Sequence, residues 1–491
     1  MPVRDGLDFG VRCRLHGIIP FPHQRRVWSG GYAVAFSDRR MRLRVERSGI
    51  FAGKTSTCET AFSGHQTGDA KPLPTDERRM TPTLVMRIFL PFAAGYFLSY
   101  VYRSVNAVLA SDLTAEFALG PADLGLLTSA YFLTFAAFQL PLGLLLDRYG
   151  PRRVEAVLLL FAGIGGLVFA RAEGMGGLLI GRALIGFGVS ACLMGSFKAF
   201  ASWFPRERLP AVNGWIMAAG GLGALAATAP VEALLAVTDW RGIFLSLAVL
   251  SFLISALVFW VVPDHSSEGS SDGLRAQLAG IRQILGNRYF WRIAPMGTVV
   301  QSFGLALPGL WAAPWLRDVA GLDRTQVADH LFALAVAILL GFLIMGNLTW
   351  RLSRRGIRPI FVAVTGIVFF LLAQVWILTG AAANPLPAWM AFGFFSTATT
   401  LCYAILSQYF DPRLAGRVNT ALNLLVFVGA FVVQWGLGAI IGLWSETADG
   451  HYPRAAYQAA FGLMLLLQML SMVWLALDLW RSRARVSGTA L

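Results

Sequence analysis

Twelve runs of apolar residues, each about 20 residues long, limit what this chain can fold into. A helix of that length crosses about 30 Å of hydrocarbon. Lipid cannot pair the backbone groups of an open sheet, so each run predicts a membrane-spanning helix. Of the 491 residues, 56% are apolar and 14% are charged, whereas soluble chains carry about 25% charged residues. The predicted spans are residues 84–109, 123–146, 153–172, 176–203, 211–238, 243–262, 290–316, 328–352, 359–380, 386–409, 417–443 and 456–480.

Two polar stretches divide the chain. Residues 1–79 contain no long apolar run, so we expect an extension without a stable fold or a start codon placed too early, with Met80 as the natural start. Residues 264–289 predict a cytoplasmic linker, whose end from Leu274 to Leu285 can form a short amphipathic helix on the membrane surface. The predicted units are an extension at 1–79, a first six-helix half at 80–263, the linker at 264–289, a second half at 290–480 and a cytoplasmic tail at 481–491.

The net charge of +14 has two sources: residues 1–79 hold 14 Lys or Arg against 8 Asp or Glu, and most of the remaining basic residues lie in the loops between the spans. Arginine is concentrated in alternate loops, which is how basic residues mark the cytoplasmic side of a membrane. These loops follow the second, fourth, sixth, eighth and tenth spans, and they include Arg148, Arg208, Arg282, Arg355 and Arg413. We therefore predict a protein of the lipid bilayer with both termini in the cytoplasm and no nucleic acid partner.

The sequence contains no constellation suited to enzymatic chemistry. The four cysteines, Cys13, Cys58, Cys192 and Cys402, lack the spacing of a metal or redox site. No nucleotide-binding motif and no nucleophile with a matching base is present. We expect a protein that is not an enzyme, holds no metal or cofactor and does not use ATP.

The turn after the second span is the most distinctive segment. Residues 143–153 read Gly-Leu-Leu-Leu-Asp-Arg-Tyr-Gly-Pro-Arg-Arg. Residues 346–356 repeat the pattern as Gly-Asn-Leu-Thr-Trp-Arg-Leu-Ser-Arg-Arg-Gly, with Trp350 in place of the acid. Further echoes follow in the same order, which indicates two related halves of six helices each.

Twelve spans with this turn resemble the major facilitator superfamily of secondary transporters. The signature residues of the turn are Gly143, Asp147, Arg148, Gly150, Arg152 and Arg153, and a motif of the fourth helix is met by Arg182, Gly186 and Gly188. The resemblance implies an all-α integral membrane fold of twelve transmembrane helices in two pseudo-symmetric halves. It also implies a monomer in the bacterial inner membrane that works by alternating access.

The resemblance gives the signature turn the role of a conformational latch. A carboxylate is unfavourable at the C-terminus of its own helix and favourable at the N-terminus of another. The family supplies that second helix as the start of the eleventh, near Gly416 to Asn419, with Arg148 and Arg152 holding the carboxylate of Asp147. The alternative is that the arginines only fix the topology.

The first span carries a polar stripe. Ser99, Tyr102, Arg103 and Asn106 follow the spacing of one helical face, and an arginine within a span normally faces a cavity or a partner, unless it snorkels outward. The run through Tyr96, Tyr100 and Arg103 is similar to the first helix of organophosphate and anion transporters in the superfamily. The predicted substrate-binding residues are Tyr96, Ser99, Tyr100, Tyr102, Arg103, Asn106, Arg182, Gln301, Gln408 and Asn423.

The predicted site has cationic groups in the first half and neutral amides in the second, which suits a small monovalent organic anion. For a coupling proton, Glu232 is the best embedded acid, although it can also simply cap its helix. Proton symport, anion exchange and facilitated transport all stay open at this point. A carrier that exports lipophilic compounds and a transporter-like membrane sensor are the alternative functions.

Overall fold

The computed structural model describes residues 25–29, 32–36, 44–47, 82–205, 208–264, 274–380, 384–411, 414–448 and 450–488. The chain forms two units, residues 1–78 and 79–491. The first unit contains an antiparallel sheet of strands β1 (Arg25–Ser29), β2 (Tyr32–Phe36) and β3 (Arg44–Arg47), in that order. The rest of this unit lies outside the described residues, so the absence of a stable fold over residues 1–79 stays a prediction.

The described part of the second unit is helical. The helices of its first half are α1 (Pro82–Phe117), α2 (Pro121–Ala170), α3 (Met175–Gly188), α4 (Cys192–Trp203), α5 (Leu209–Ala226), α6 (Ala229–Leu234) and α7 (Trp240–Val261). The predicted linker helix is present as α8 (Leu274–Leu285). The second half consists of α9 (Arg288–Ala306), a π-helical turn (Leu307–Trp311), α10 (Ala312–Asp318), α11 (Arg324–Arg354), α12 (Pro359–Thr379), α13 (Leu386–Ser396), a 3-10 turn (Thr397–Thr400), α14 (Leu401–Tyr409), α15 (Ala415–Ile441) and α16 (Arg454–Gly488).

These helices form the twelve predicted spans. With 50 residues, α2 would be about 75 Å long if straight, which is more than twice the hydrocarbon thickness. Gly150 interrupts it with φ 77° and ψ 158°, a left-handed conformation that favours glycine, so α2 supplies the second and third spans. The fourth span is α3 with α4, the fifth α5 with α6, the seventh α9 to α10, and the tenth α13 to α14.

Small residues let neighbouring spans approach closely. A Cβ atom on Gly165 of the third span would lie 2.7 Å from the backbone nitrogen of Ile185 in α3, and one on Gly181 would lie 2.7 Å from the backbone nitrogen of Phe169. Without a hydrophobic drive between helices in lipid, such close backbone contact is a main source of packing energy. The two faces therefore hold the third and fourth spans together.

The two halves meet along three pairs of spans. The second span packs on the eleventh, the fifth on the eighth, and the first on the π-helical turn of the seventh. We call the side of the membrane that carries Gly150 the inner side, and the opposite side the outer side. Near the outer end, a Cβ atom on Gly125 would lie 2.9 Å from the carbonyl oxygen of Gln434. The halves are thus in direct backbone contact on the outer side.

Candidate functional site

A cavity lies between the two halves at their shared interface. It is lined from the first half by α1 and α5, and from the second half by the seventh, eighth and tenth spans. The lining residues are Tyr100, Arg103, Ser104, Ala107, Ala224, Thr228, Gln301, Gly304, Leu305, Pro308, Gly309, Leu331, Leu334, Ala335, Ile338, Phe342, Ser396, Thr397, Thr399 and Thr400. Among these described residues, Arg103 alone carries a charge.

Aromatic rings hold the guanidinium group of Arg103. Its central carbon lies 4.5 Å from the ring centroid of Tyr100, 5.4 Å from that of Phe427 and 5.8 Å from those of Tyr131 and Phe135. Phe135 and Phe427 stack on each other across the two halves at 4.3 Å. Ring faces attract a cation without using its N–H groups, and the Nε atom has no hydrogen-bond partner among the described residues. The ring contacts thus hold the guanidinium group and leave its Nε donor unused.

Three other predicted residues of α1 are buried in the protein and do not reach the cavity. Tyr96 packs edge-to-face on Tyr100 with centroids 5.1 Å apart, and Ser99 is buried. Asn106 donates from Nδ2 to the hydroxyl of Thr128 at 3.4 Å. Tyr100 and Arg103 thus reach the cavity, while Tyr96, Ser99 and Asn106 lie outside its lining.

Tyr102 and Arg182 lie inside the first half. The Tyr102 hydroxyl is 3.0 Å from that of Ser251 in α7, and Nη1 of Arg182 donates to the Tyr102 carbonyl at 2.7 Å. The guanidinium of Arg182 also lies 5.4 Å from the ring centroid of Tyr131, so this ring lies within cation–π distance of both Arg182 and Arg103. Arg182 supports the backbone of α1 from behind and is not a lining residue.

The three predicted amides of the second half separate in the structure. Gln301 lines the cavity, and its Oε1 atom has no partner among the described residues. Asn423 accepts a hydrogen bond from the Tyr403 hydroxyl at 3.1 Å. Gln408 is exposed near the inner end of α14 and does not belong to the lining. Of these amides, Gln301 is the one placed to meet a solute in the cavity.

A run of hydroxyl residues in the tenth span is a further part of the cavity that the sequence reasoning missed. Each hydroxyl donates to the carbonyl three residues earlier: Ser396 to Gly393, Thr397 to Phe394, Thr399 to Ser396 and Thr400 to Thr397, at 2.7–2.8 Å. Because their protons are used, the oxygens offer lone pairs. These acceptor oxygens suit the hydroxyl groups of a solute. The sequence signal was the run Ser-Thr-Ala-Thr-Thr at 396–400, which interrupts an apolar span.

Ion pairs join the two halves on the outer side. Arg324, at the start of α11, contacts both carboxylate oxygens of Asp112 on α1, at 2.9 and 2.7 Å. Its Nε atom lies 2.7 Å from Oε1 of Glu232 on α6. Glu232, which the sequence suggested as an embedded acid for a coupling proton, is therefore engaged in an ion pair. We call these three residues the outer gate.

The signature turn contacts the first half and Asp264, the first residue of the linker. Asp147 forms an ion pair with Lys198 of α4. Arg153 binds Asp264 at 2.7 Å, and Nε of Arg152 donates to the Phe259 carbonyl at 2.7 Å.

Two glycines of this turn and one arginine complete the predicted latch. Arg148 is exposed and lies 5.3 Å from the ring centroid of Tyr149. Gly150 provides the reversal between the second and third spans, and Gly143 lies two helical turns before it. With the outer gate formed and Asp147 bound to Lys198, the contact between Asp147 and the start of α15 stays a prediction for the state in which the inner side closes.

Comparisons with known proteins agree with this architecture. The sequence model of the Major Facilitator Superfamily matches residues 92–434. A probable sulfoacetate transporter of Cupriavidus necator is 25% identical over 366 residues, which cover 70% of this chain and 85% of the relative. A probable L-galactonate transporter of Escherichia coli is 24% identical over 386 residues, or 72% of this chain and 81% of the relative. The crystal structure of a bacterial homologue of the human lysosomal transporter Spinster, in an inward-facing and occupied conformation, superposes with a TM-score of 0.64, 16% identity and coverage of 79% and 96% of the two chains.

Proposed function

Because the chain belongs to the major facilitator superfamily, we propose that it carries a small organic anion across the membrane by alternating access. The protein is a multi-pass membrane transporter and not an enzyme. The observation that carries the anion assignment is Arg103, the one charge among the described lining residues of the cavity. A buried cation held by ring faces is costly within a membrane, and an anion bound in the cavity reduces that cost.

The rest of the cavity narrows the class of anion. The hydroxyl oxygens of residues 396–400 and the amide of Gln301 offer hydrogen-bond partners from the second half. The lining also contains apolar residues of α11, namely Leu331, Leu334 and Ile338. One cation suits one negative charge, so a monovalent carboxylate or sulfonate fits better than a phosphate ester. The two relatives are named for sulfoacetate and L-galactonate. Sulfoacetate carries two negative charges, whereas L-galactonate carries one charge and several hydroxyl groups, so the single cation and the hydroxyl run both favour the hydroxylated acid.

The same contacts suggest how access alternates. The outer gate closes the outer side in the structure, whereas the predicted latch between Asp147 and the start of α15 would close the inner side. From the arginine bias of the loops, we assign the inner side to the cytoplasm and the membrane to a bacterial inner membrane. We further propose a monomer, and a proton as the coupling ion.

Counterflow in proteoliposomes tests the proposal. Vesicles loaded with unlabelled L-galactonate or sulfoacetate should take up the labelled acid when they contain the wild-type protein. Loss of a charged hydrogen bond costs about 1.5–3 kcal/mol, so Arg103→Ala should weaken apparent affinity by about 10- to 150-fold. Arg171→Ala, on the exposed outer loop between α2 and α3, is the matched control and should behave as wild type.

Three other outcomes contradict the proposed function. Counterflow that survives Arg103→Ala unchanged indicates a site that does not need the cation. Export of lipophilic compounds with no response to organic acids indicates a drug carrier. Binding of an acid without exchange by the wild-type protein indicates a sensor.

A further inference from the structure

We propose that Glu155, in the third span, binds the proton that is coupled to solute transport; this inference rests on the proposed function. Glu155 lies five residues after the turn at Gly150 and is fully buried. Neither of its carboxyl oxygens has a hydrogen-bond partner among the described residues. Buried carboxyl groups in proteins are normally paired or hydrogen-bonded, so this group calls for a functional explanation.

Two glycines from different spans form the slot that receives the carboxyl group. A Cβ atom on Gly95 of α1 would lie 2.5 Å from Oε1 of Glu155, and one on Gly195 of α4 would lie 2.7 Å from Oε2. Any side chain at either position would displace the acid. Leu159 lies beside the same position of Gly95, and Leu146 lies beside that of Gly195. The first and fourth spans thus leave space for this one group.

The charges around Glu155 favour its neutral form. An ionised carboxylate without a partner is strongly disfavoured in such a place. The facing titratable group on α4 is Cys192, a buried free thiol. The next charged residue along α4 is Lys198, one turn beyond Gly195, and its ammonium group is paired with Asp147 of the second span. In the conformation described here, Glu155 is therefore a carboxylic acid that carries a proton.

The neighbouring ion pair supplies a way for that proton to leave. The predicted latch moves Asp147 toward the start of α15 when the inner side closes, which frees Lys198. Residues three apart on a helix share a face, so the lysine can then approach the carboxyl at Gly195. Glu155 releases its proton to water, and the carboxylate pairs with the ammonium group of Lys198. Rebinding of one proton restores the neutral acid when Asp147 returns.

Glu155 lies outside the substrate cavity. Arg103 is two helical turns along α1 from Gly95, and Glu155 does not line the cavity between the halves. Proton binding and solute binding thus use different residues, and of the three spans around Glu155 only the first also lines the cavity. A neutral replacement of Glu155 should therefore separate coupling from solute exchange.

Two transport assays on Glu155→Gln test whether proton coupling can be separated from solute exchange. The glutamine has the shape of the protonated acid and fits the same slot. We expect counterflow of labelled L-galactonate or sulfoacetate at equal pH to continue, while net uptake driven by an imposed pH gradient is lost. Glu173→Gln, at an exposed residue between α2 and α3, should keep both activities.

The outcomes distinguish this proposal from the proposed function. A wild-type protein with no counterflow of any acid refutes the anion assignment. Counterflow with net uptake that ignores the pH gradient, or a gradient response that survives Glu155→Gln, refutes the proton site alone. Loss of both activities in a well-folded Glu155→Gln protein assigns Glu155 to packing and also overturns the proposal.

An infrared measurement tests the protonation state without transport. At neutral pH the purified wild-type protein should show the carbonyl stretch of a protonated carboxyl group. Glu155→Gln should remove that band and Glu173→Gln should leave it. A spectrum unchanged by Glu155→Gln overturns the proposal whatever the transport assays give.

Discussion

Breaking the outer gate should shift the carrier toward its outward-open state. The gate holds Arg324 of the second half between Asp112 and Glu232 of the first. Substitution Arg324→Gln removes both ion pairs and leaves two carboxylates facing each other, which adds repulsion in the closed state. The inner half of the molecule and the substrate cavity are untouched, so the change acts on the equilibrium between the two states.

The size of the shift follows from the exposure of the three side chains. They are 43%, 27% and 17% exposed for Arg324, Asp112 and Glu232, so solvent screens both pairs and each contributes about 0.2–1 kcal/mol. The two-point contact with Asp112 belongs at the upper end of that range. A total of about 1–2 kcal/mol changes the ratio of the two states by about 5- to 30-fold.

Labelling from outside measures that ratio. Ala107 lies one turn beyond Arg103 on α1, lines the cavity and is buried while the gate is closed. In a chain without its four native cysteines, Ala107→Cys should react with a membrane-impermeant maleimide about 5 to 30 times faster when Arg324→Gln is added. Arg171→Gln, which removes an exposed outer arginine, serves as the control and should leave the rate unchanged. An unaltered or slower rate in Arg324→Gln refutes the gate.

Two further substitutions test the inner latch and the hydroxyl run. Asp147→Asn should impair transport while acid binding, followed by tryptophan fluorescence, stays near wild type. Contacts between a carboxylate and a helix terminus contribute about 0.3–1 kcal/mol, so we expect a two- to fivefold loss of turnover, and a parallel loss of binding would contradict the latch. Thr400→Val keeps the shape of the side chain but removes an acceptor, so KM should rise about 2- to 12-fold for L-galactonate. Sulfoacetate, which has no hydroxyl group, should show no change, and an equal rise for both acids would argue against the hydroxyl run as a specificity element.

Much of the architecture follows from the length of the apolar runs, because a span must match the bilayer. The broken spans are harder to predict. The fifth was expected as one run over residues 211–238, but it is divided between α5 and α6 and ends at Leu234. Apolar composition sets where a helix can lie in lipid, whereas breaks depend on packing against neighbours. The boundaries of such spans therefore need the tertiary structure.

The direction in which each side chain of a buried span points is also hard to predict from the sequence. The stripe on α1 placed Tyr102 beside Arg103, yet consecutive residues on a helix are about 100° apart. In the structure Arg103 faces the cavity and Tyr102 faces α7. Because protein surrounds much of this span, polar residues on several faces find partners. Periodicity identifies the stripe, but it does not show which part of the stripe reaches the solute.

The burial of Glu155 could not be predicted from the sequence around it. It follows Arg152 and Arg153, which mark the exit from the bilayer, so its position suggests a solvated surface residue. Its burial depends on Gly95 and Gly195, which lie about 60 and 40 residues away and provide the missing volume. Nothing in the local pattern pairs these glycines with the acid. Such a slot becomes visible only when three spans are assembled.

The contacts that close the two ends of the molecule differ in kind but are similar in free energy. Alternating access requires this similarity, because each end must close and open in turn. The outer gate is a pair of partly exposed ion pairs worth about 1–2 kcal/mol, and the predicted inner latch is a carboxylate at a helix terminus worth about 0.3–1 kcal/mol, or up to ~2 kcal/mol when partly buried. A much stronger contact at either end would trap the carrier, because a solute shifts the equilibrium only by its differential affinity for the two states. An anion on Arg103 and a proton on Glu155 act between these ends, in the first, third and fourth spans. Contacts of this modest size allow one bound solute and one proton to decide which side of the membrane opens.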